Sequence, residues 1–107
     1  MATESKNVTN QQSVRLYRHE GTTSSTTDAK IMLDGSLQVS GYDIGEAAQA
    51  FVGHDDYEYD VTVQPEHKDA LLLVLLADRF RGDPCASSHF KQYLDANGIP
   101  YEFDTWP

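Results

Sequence analysis

The sequence predicts an α+β fold: one domain with a mostly antiparallel sheet of about five strands and two main helices packed on one face of it. Three observations predict this class. Short runs of alternating apolar and polar residues recur along the chain, as expected of strands. The pair Asp34-Gly35 lies between two such runs and indicates a hairpin. Two longer segments, 66–81 and 84–97, have helical spacing and are bounded by helix-capping residues.

The strands outside the hairpin are assigned from alternation alone. Residues 13–19 alternate weakly and predict the first strand, whereas the polar run 20–28 predicts a loop because it contains no core-forming residue. Residues 57–63 alternate most clearly, with tyrosines and valines on one face and acidic residues and threonine on the other. Residues 101–106 alternate again and predict a last strand.

The hairpin, residues 30–40, has two possible registers. A two-residue loop pairs Met32 with Leu37 and leaves Ile31 and Leu33 on the opposite face. A three-residue loop pairs Leu33 with Leu37 and gathers four apolar side chains on one face. We favour the three-residue loop because a single buried face fixes the register of a strand.

A short helix is predicted before the two longer ones. Asp43 can cap it, and it covers residues 44–52. The main helix, 66–81, opens at Pro65 and stops at Gly82. Its centre is apolar on every face for two turns, so it requires cover on more than one side.

Length and composition are typical of one globular domain. We assign it to residues 13–107 of the 107-residue chain, after a disordered tail of residues 1–12. Apolar residues make up 39% of the chain and charged residues 23%, which is unlike a disordered protein. No apolar run approaches the roughly 20 residues that span a bilayer, and the N-terminal residues lack the apolar stretch of a secretory signal. The single cysteine, Cys85, excludes an internal disulfide framework. A cytoplasmic protein is therefore expected.

The net charge of −9 is unevenly distributed along the chain. Residues 1–42 are neutral overall, whereas residues 43–107 contain thirteen acidic and four basic residues. Such a field repels nucleic acid and anionic membranes and attracts basic proteins. The predicted partner is a basic protein, such as a nuclease or another nucleic-acid-binding effector, rather than nucleic acid itself or a membrane. Acidity that only maintains solubility is the open alternative.

An acidic ladder points most directly to a binding surface. Acidic residues fall on alternate positions of the strand at 57–63 and the residue before it, and the last predicted strand has a second set. If the two strands are neighbours, like charges oppose one another across the sheet and destabilise the fold, as functional surfaces often do. The predicted partner-binding residues are Asp56, Glu58, Asp60, Glu102, Asp104 and the aromatic anchor Trp106. The alternative is that the acids are ordinary solvated strand residues.

Several segments of the second half resemble known proteins. They are Asp56-Tyr-Glu-Tyr, Pro65-Glu-His-Lys, Leu71–Leu76, Arg79-Phe-Arg-Gly-Asp83, Gly98-Ile-Pro-Tyr-Glu-Phe and Trp106. Together they resemble a family of small uncharacterised bacterial proteins over residues 56–106, about half of the chain. The resemblance implies no particular activity, and it does not extend to the hairpin.

The residues give little support to enzymatic or metal chemistry. Cys85 begins a predicted helix and His89 follows one turn later, which suits a thiol and its base, but no residue at motif spacing aims the histidine. His54, Asp55 and Asp56 crowd into one turn, yet the chain lacks the ligand spacing of zinc sites and calcium loops. Phosphate-binding glycine patterns are missing as well. No catalytic residue, metal or cofactor is predicted.

The sequence therefore favours a non-enzymatic, acidic protein-binding domain. It would be an inhibitor or adaptor that docks its carboxylate-rich sheet face on a basic partner, as an immunity-type or anti-CRISPR-like mimic of nucleic acid does. The alternative is a small homodimeric accessory or housekeeping domain that associates through the apolar helix 66–81, with Leu72, Leu73 and Leu76 at the interface. A thiol enzyme is a third hypothesis.

Overall fold

The computed structural model describes residues 12–45 and 56–106. Within these ranges, strands pair into one antiparallel sheet and two helices follow, so the predicted α+β class is confirmed. The described strands number four rather than about five. The elements are β1 (Ser13–His19), β2 (Thr23–Ile31), β3 (Leu37–Gly45), β4 (Asp56–Val63), α1 (Lys68–Phe80) and α2 (Ala86–Ala96), with a 3-10 turn at Pro65–His67. Neither described helix is long and apolar enough to cross a bilayer.

The chain divides into two compact units, residues 1–68 and residues 69–107. The first unit contains the sheet, and the second contains nearly all of α1, all of α2 and the C-terminal segment, which we define as residues 101–106. The predicted disordered tail lies outside the described residues except for Gln12, whose carbonyl accepts a hydrogen bond from the Ile31 amide at 2.7 Å. The single-domain assignment stays a prediction.

The strands follow one another across the sheet in the order β1-β2-β3-β4, and each neighbouring pair is antiparallel. The prediction of a loop over residues 20–28 is wrong because most of that run belongs to β2. β2 is hydrogen-bonded on both sides, so its backbone groups are satisfied without an apolar pattern. Its threonines also favour the pleated conformation through their β-branched side chains.

The β2–β3 hairpin lies at Asp34-Gly35 as predicted, but both proposed registers are wrong. Ile31 pairs with Leu37, and the Met32 amide donates to the carbonyl of Ser36 at 2.8 Å. The loop is therefore three residues long but starts one residue earlier than predicted.

Turn chemistry explains this register. Gly35 has φ of 90°, the left-handed conformation that a three-residue hairpin loop requires at this position. The Asp34 carboxylate accepts hydrogen bonds from the Ser36 amide at 2.9 Å and its hydroxyl at 2.7 Å, and these bonds lower the pKa of Asp34. Leu33 is left fully exposed at the tip. The local bonds outweigh the burial of that one leucine.

The two faces of the sheet differ in composition. One face, here called the apolar face, carries two rows of aliphatic residues that run across the strands: Val14, Ala29, Val39 and Val61 in one row, and Ile31, Leu37 and Val63 in the other. The opposite face, here called the polar face, carries mostly charged and hydroxyl side chains. A bulge in β1 between Arg15 and Tyr17 adds one residue, Leu16, and keeps the flanking side chains on their proper faces.

β3 extends further than predicted. Ile44 and Gly45 belong to it and pair with β2, so the prediction that a helix begins at residue 44 is wrong. The remainder of that predicted helix, residues 46–52, lies outside the described residues. Gly45 has φ of 127°, and a Cβ there would overlap the carbonyl oxygen of Thr22. A side chain is therefore excluded at this position.

The two longer helices are confirmed. The 3-10 turn that starts at Pro65 leads into α1, and Gly82, with φ of 84°, follows the end of α1. α2 ends in the same way, because Gly98 has φ of 67° and the Ile99 amide donates to the carbonyl of Leu94 at 3.0 Å. The bounds predicted from a proline at the start and a glycine after the end of each helix agree with the observed bounds to within a few residues.

The predicted fifth strand is wrong: the C-terminal segment pairs with no strand of the described chain. Its alternating side chains instead contact α2. The Tyr101 hydroxyl donates a hydrogen bond to Asp95, which raises the pKa of Tyr101, and the Lys91 ammonium lies 4.2 Å from the centroid of the Phe103 ring. Alternation therefore reflects packing beside a helix here and not a ladder of strands.

Candidate functional site

Three carboxylates of β4 form a row on the polar face. Asp56, Glu58 and Asp60, here called the acidic row, are all exposed and occupy alternate positions, so neighbouring side chains stand ~6.7 Å apart along the strand. No ion pair joins any of them to a basic side chain within residues 12–45 and 56–106. Because β4 is the last strand in the described sheet, the row stands at its rim.

Uncharged residues of β3 lie opposite the acidic row. Ser40 pairs with Asp60, Tyr42 with Glu58, and Ile44 with Asp56. The like-charge opposition expected across the sheet is therefore not found at this row, and the row destabilises the fold less than two facing rows of carboxylates would.

Tyr42 and Ile44 give the acidic row apolar neighbours. Ile44 is 44% exposed although it lies on the polar face, and Tyr42 is half-buried beside it on the same face. Large apolar side chains next to charges are typical of the central contacts of protein interfaces. Neither residue was predicted to lie here, because the hairpin strand was expected to end at residue 40, although Gln38, Ser40 and these two residues continue one alternation.

Two arginines of β1 on the polar face are already matched by acids. Arg15 Nε lies 2.5 Å from Asp28 Oδ1, and Arg18 forms an ion pair with Glu20. These pairs neutralise the local positive charge. The acidic row thus provides most of the uncompensated charge of this face.

The C-terminal acids do not extend the row by strand pairing. Glu102, Asp104 and Trp106 belong to the second unit, and all three are exposed. Because the C-terminal segment is not a strand, the predicted two-stranded acidic surface is absent from the described sheet. Trp106 is 85% exposed, so it does not cover an apolar core, and its role as an aromatic anchor stays a prediction.

The apolar centre of α1 is exposed. Leu72, Leu73, Val74 and Leu75 are each more than half exposed, and Leu76 is partly exposed. Four consecutive helical positions point in four directions around the axis, about 100° apart. Apolar side chains are therefore more than half exposed on several sides of α1.

A histidine–aspartate pair precedes α2. His89 Nδ1 lies 2.5 Å from Asp83 Oδ2, and the other carboxylate oxygen accepts a hydrogen bond from the Cys85 amide at 2.8 Å. Both hydrogen bonds lower the pKa of Asp83, and the bond with His89 has the larger effect. Asp83 is thus the residue that orients His89. This role was not predicted from the sequence, because the two residues lie six positions apart. Cys85 is a free, exposed thiol.

The described residues contain no cluster of side chains that could bind a metal ion. His54 and Asp55 lie outside the described ranges, and within those ranges no three histidine, cysteine or acidic residues come together as metal ligands.

Comparison with protein-family models, with curated proteins and with solved structures finds no match for this chain. The resemblance noted from residues 56–106 stays a prediction.

Proposed function

We propose that this chain is a non-enzymatic binding domain that docks the acidic row on a basic protein. The observation that carries the proposal is the arrangement of Asp56, Glu58 and Asp60: exposed, on one face, and without basic partners in the described residues. A basic partner gains charge complementarity with this surface without having to displace an existing ion pair. The excess of acidic residues after residue 42 adds a long-range field of the same sign.

A basic groove that normally holds nucleic acid is the partner surface we propose. Duplex DNA carries a charge every ~3.4 Å along each strand, so the ~6.7 Å spacing of the acidic row matches every second phosphate. Tyr42 and Ile44 would contact apolar parts of the groove next to these charges. The protein would then act as an inhibitor or adaptor, immunity-type or anti-CRISPR-like, by occupying the nucleic-acid site of a nuclease or a related effector.

Charge reversal tests the proposal. The partner is isolated by affinity capture from the native cell, and its Kd is measured for the wild type and for the double variant Glu58→Lys/Asp60→Lys at low and high salt. We expect the double variant to bind about 10- to 100-fold more weakly at low salt, since interfacial charge pairs couple by a few kcal/mol. The wild-type complex should also weaken as salt rises.

The matched control is Glu66→Lys/Asp78→Lys, which changes the net charge by the same amount at positions outside β4. If the control weakens binding as much as the β4 variant, only net charge matters and the acidic row is not the site. The second readout is competition: wild-type protein should displace nucleic acid from the captured partner. A partner that binds both at once would refute the mimicry.

A homodimer through α1 is the second candidate, and the exposure of its leucines favours it. Burying a leucine that is now exposed contributes roughly 1.5–3 kcal/mol, so a few such contacts stabilise a dimer. Leu72, Leu73 and Leu76 are the predicted contacts. Sedimentation at micromolar concentration should give a dimer for the wild type and a monomer for Leu73→Glu; a monomeric wild type would exclude this candidate.

A further inference from the structure

The second unit contains an open groove between the end of α1 and α2. Its lining includes polar, charged and aromatic side chains that could contact a ligand: Arg79, Phe80, Asp83, His89, Gln92 and Tyr93. A cation, an imidazole with its aspartate and a side-chain amide thus face one space within the second unit. Such convergence of a few polar groups beside aromatic walls is typical of small-ligand sites.

Arg79 is oriented by aromatic rings and not by acids. Its guanidinium carbon lies 4.4 Å from the ring centroid of Tyr93 and 5.7 Å from that of Phe80. No ion pair with a carboxylate is formed by Arg79 in the described part of the chain, in contrast to Arg15 and Arg18. The ring contacts leave the N–H donors of the guanidinium available to a planar, two-oxygen acceptor.

His89 is held in place by Asp83, which lines the same groove. Asp83 contacts its Nδ1 at 2.5 Å and is itself held by the Cys85 amide, so the imidazole has a supported orientation. Nε2 is the nitrogen that this pairing leaves for a ligand, as either a donor or an acceptor.

Among the residues that line the groove, Arg79 is the cation that forms no ion pair with an acid of the described chain. In contrast, the Asp83 carboxylate is already hydrogen-bonded to His89 and to the Cys85 amide. The positive charge open to a ligand is therefore that of the Arg79 guanidinium. A carboxylate matches both this charge and the two-pronged donor geometry of guanidinium, whereas a phosphate dianion leaves excess negative charge in a strongly acidic protein.

We propose that this groove binds a small 2-hydroxycarboxylic acid. Its carboxylate would accept two hydrogen bonds from Arg79, and its hydroxyl would hydrogen-bond to Nε2 of His89. Gln92 lies in the same groove and can donate to either group. Asp83 acts as a positioning residue that holds the imidazole. The site is independent of the acidic row, so the two proposals stand or fall separately.

Titration of the full chain with lactate, propionate and inorganic phosphate, followed by NMR, tests this site. We expect lactate to shift the Arg79 and His89 side-chain resonances in a saturable way, with an affinity several-fold higher than that of propionate, which lacks only the hydroxyl. Propionate that binds as well as lactate would remove the role of His89. Phosphate that binds most tightly, or the absence of any saturable shift, would overturn the proposal.

Matched substitutions assign the contacts. Arg79→Gln should weaken lactate binding by about tenfold, corresponding to the loss of one charge-assisted bidentate contact. Arg81→Gln removes the same charge two residues away at a position that does not line the groove, and it should bind lactate as the wild type does. His89→Gln should abolish the preference for lactate over propionate, while His67→Gln should keep it. Equal effects within either pair would contradict the assignment.

Discussion

The ring of Tyr59 occupies the space directly above Gly41, its partner in the pairing of β3 with β4. A Cβ on Gly41 would overlap the ring carbons and hydroxyl of Tyr59. Gly41 is buried even though it has no side chain, because the ring covers its backbone. Glycine usually weakens the middle of a strand, and here an aromatic neighbour fills the gap that it leaves.

Gly41→Ala should lower the free energy of unfolding of the sheet by about 1–3 kcal/mol, the usual penalty for overpacking. The added methyl group must displace the ring of Tyr59. In the background Tyr59→Ala the same substitution should be neutral or stabilising, since alanine is favoured over glycine in a strand when space is available. Urea denaturation of the four proteins, followed by far-ultraviolet circular dichroism, measures this coupling.

An equal loss on Gly41→Ala in both backgrounds would show that the ring is not the cause. Ser40→Ala, at the adjacent position on the opposite face, is the control and should change stability little.

The pairing of Asp83 predicts how α2 responds to acid. The pKa of Asp83 is held below its usual 3.8 in the folded chain, first by His89 and then by the Cys85 amide. A depressed pKa means that the unfolded chain binds the proton more tightly. The stabilisation is therefore present above pH 3.8 and is lost as pH falls through the lower, folded value.

Amide exchange of the first turn of α2 should accordingly become faster as pH falls below this value, beyond the intrinsic pH dependence of exchange. Asp83→Asn should exchange faster at neutral pH and lose the extra pH dependence. If the extra acid-induced increase in exchange persists in Asp83→Asn, a group other than Asp83 causes it.

The hydrogen bond between Tyr101 and Asp95 predicts an effect at high pH. Asp95 raises the pKa of Tyr101 above its usual 10.0 because the carboxylate favours the protonated phenol. The contribution to stability is full below pH 10.0 and is lost as pH rises through the higher folded value. NMR titration of the Tyr101 ring should show the raised pKa, and Asp95→Asn should bring it back towards 10.0. Asp104 lies in the C-terminal segment together with Tyr101, and Asp104→Asn should leave the pKa of Tyr101 unchanged.

Local signals predicted the helices and the hairpin position well. Pro65, Gly82 and Gly98 act through the backbone conformation of a few residues, and the sequence displays that directly. β2 was missed because most of it lacks an apolar alternation, and its strand state depends mainly on the partner strands at both of its edges. The same lack of local information made the C-terminal segment look like a strand, since alternation also arises beside a helix.

The sequence predicted half of the candidate acidic surface. Alternation in β4 was sufficient to put Asp56, Glu58 and Asp60 on one face. Their uncharged neighbours could not be predicted, because the pairing of Tyr42 with Glu58 depends on where β3 ends. The interpretation of Asp43 as a helix cap ended β3 too early and concealed that pairing.

Tyr42 and Ile44 lead to a kinetic prediction for the complex with the basic partner. If they are the apolar contacts beside the acidic row, Tyr42→Ala should increase the dissociation rate about 10-fold and leave the association rate nearly unchanged, because short-range packing acts after docking. Glu58→Lys/Asp60→Lys should instead slow association, and this effect should shrink in high salt, because charges steer the encounter. Surface plasmon resonance at two salt concentrations separates these effects.

Val61→Ala is the control for the loss of an exposed apolar side chain, since Val61 is more than half exposed on the opposite face of β4. Docking through the polar face leaves both rate constants of Val61→Ala unchanged. If Val61→Ala speeds dissociation and Tyr42→Ala does not, the partner binds the apolar face, and the acidic row then acts only at a distance.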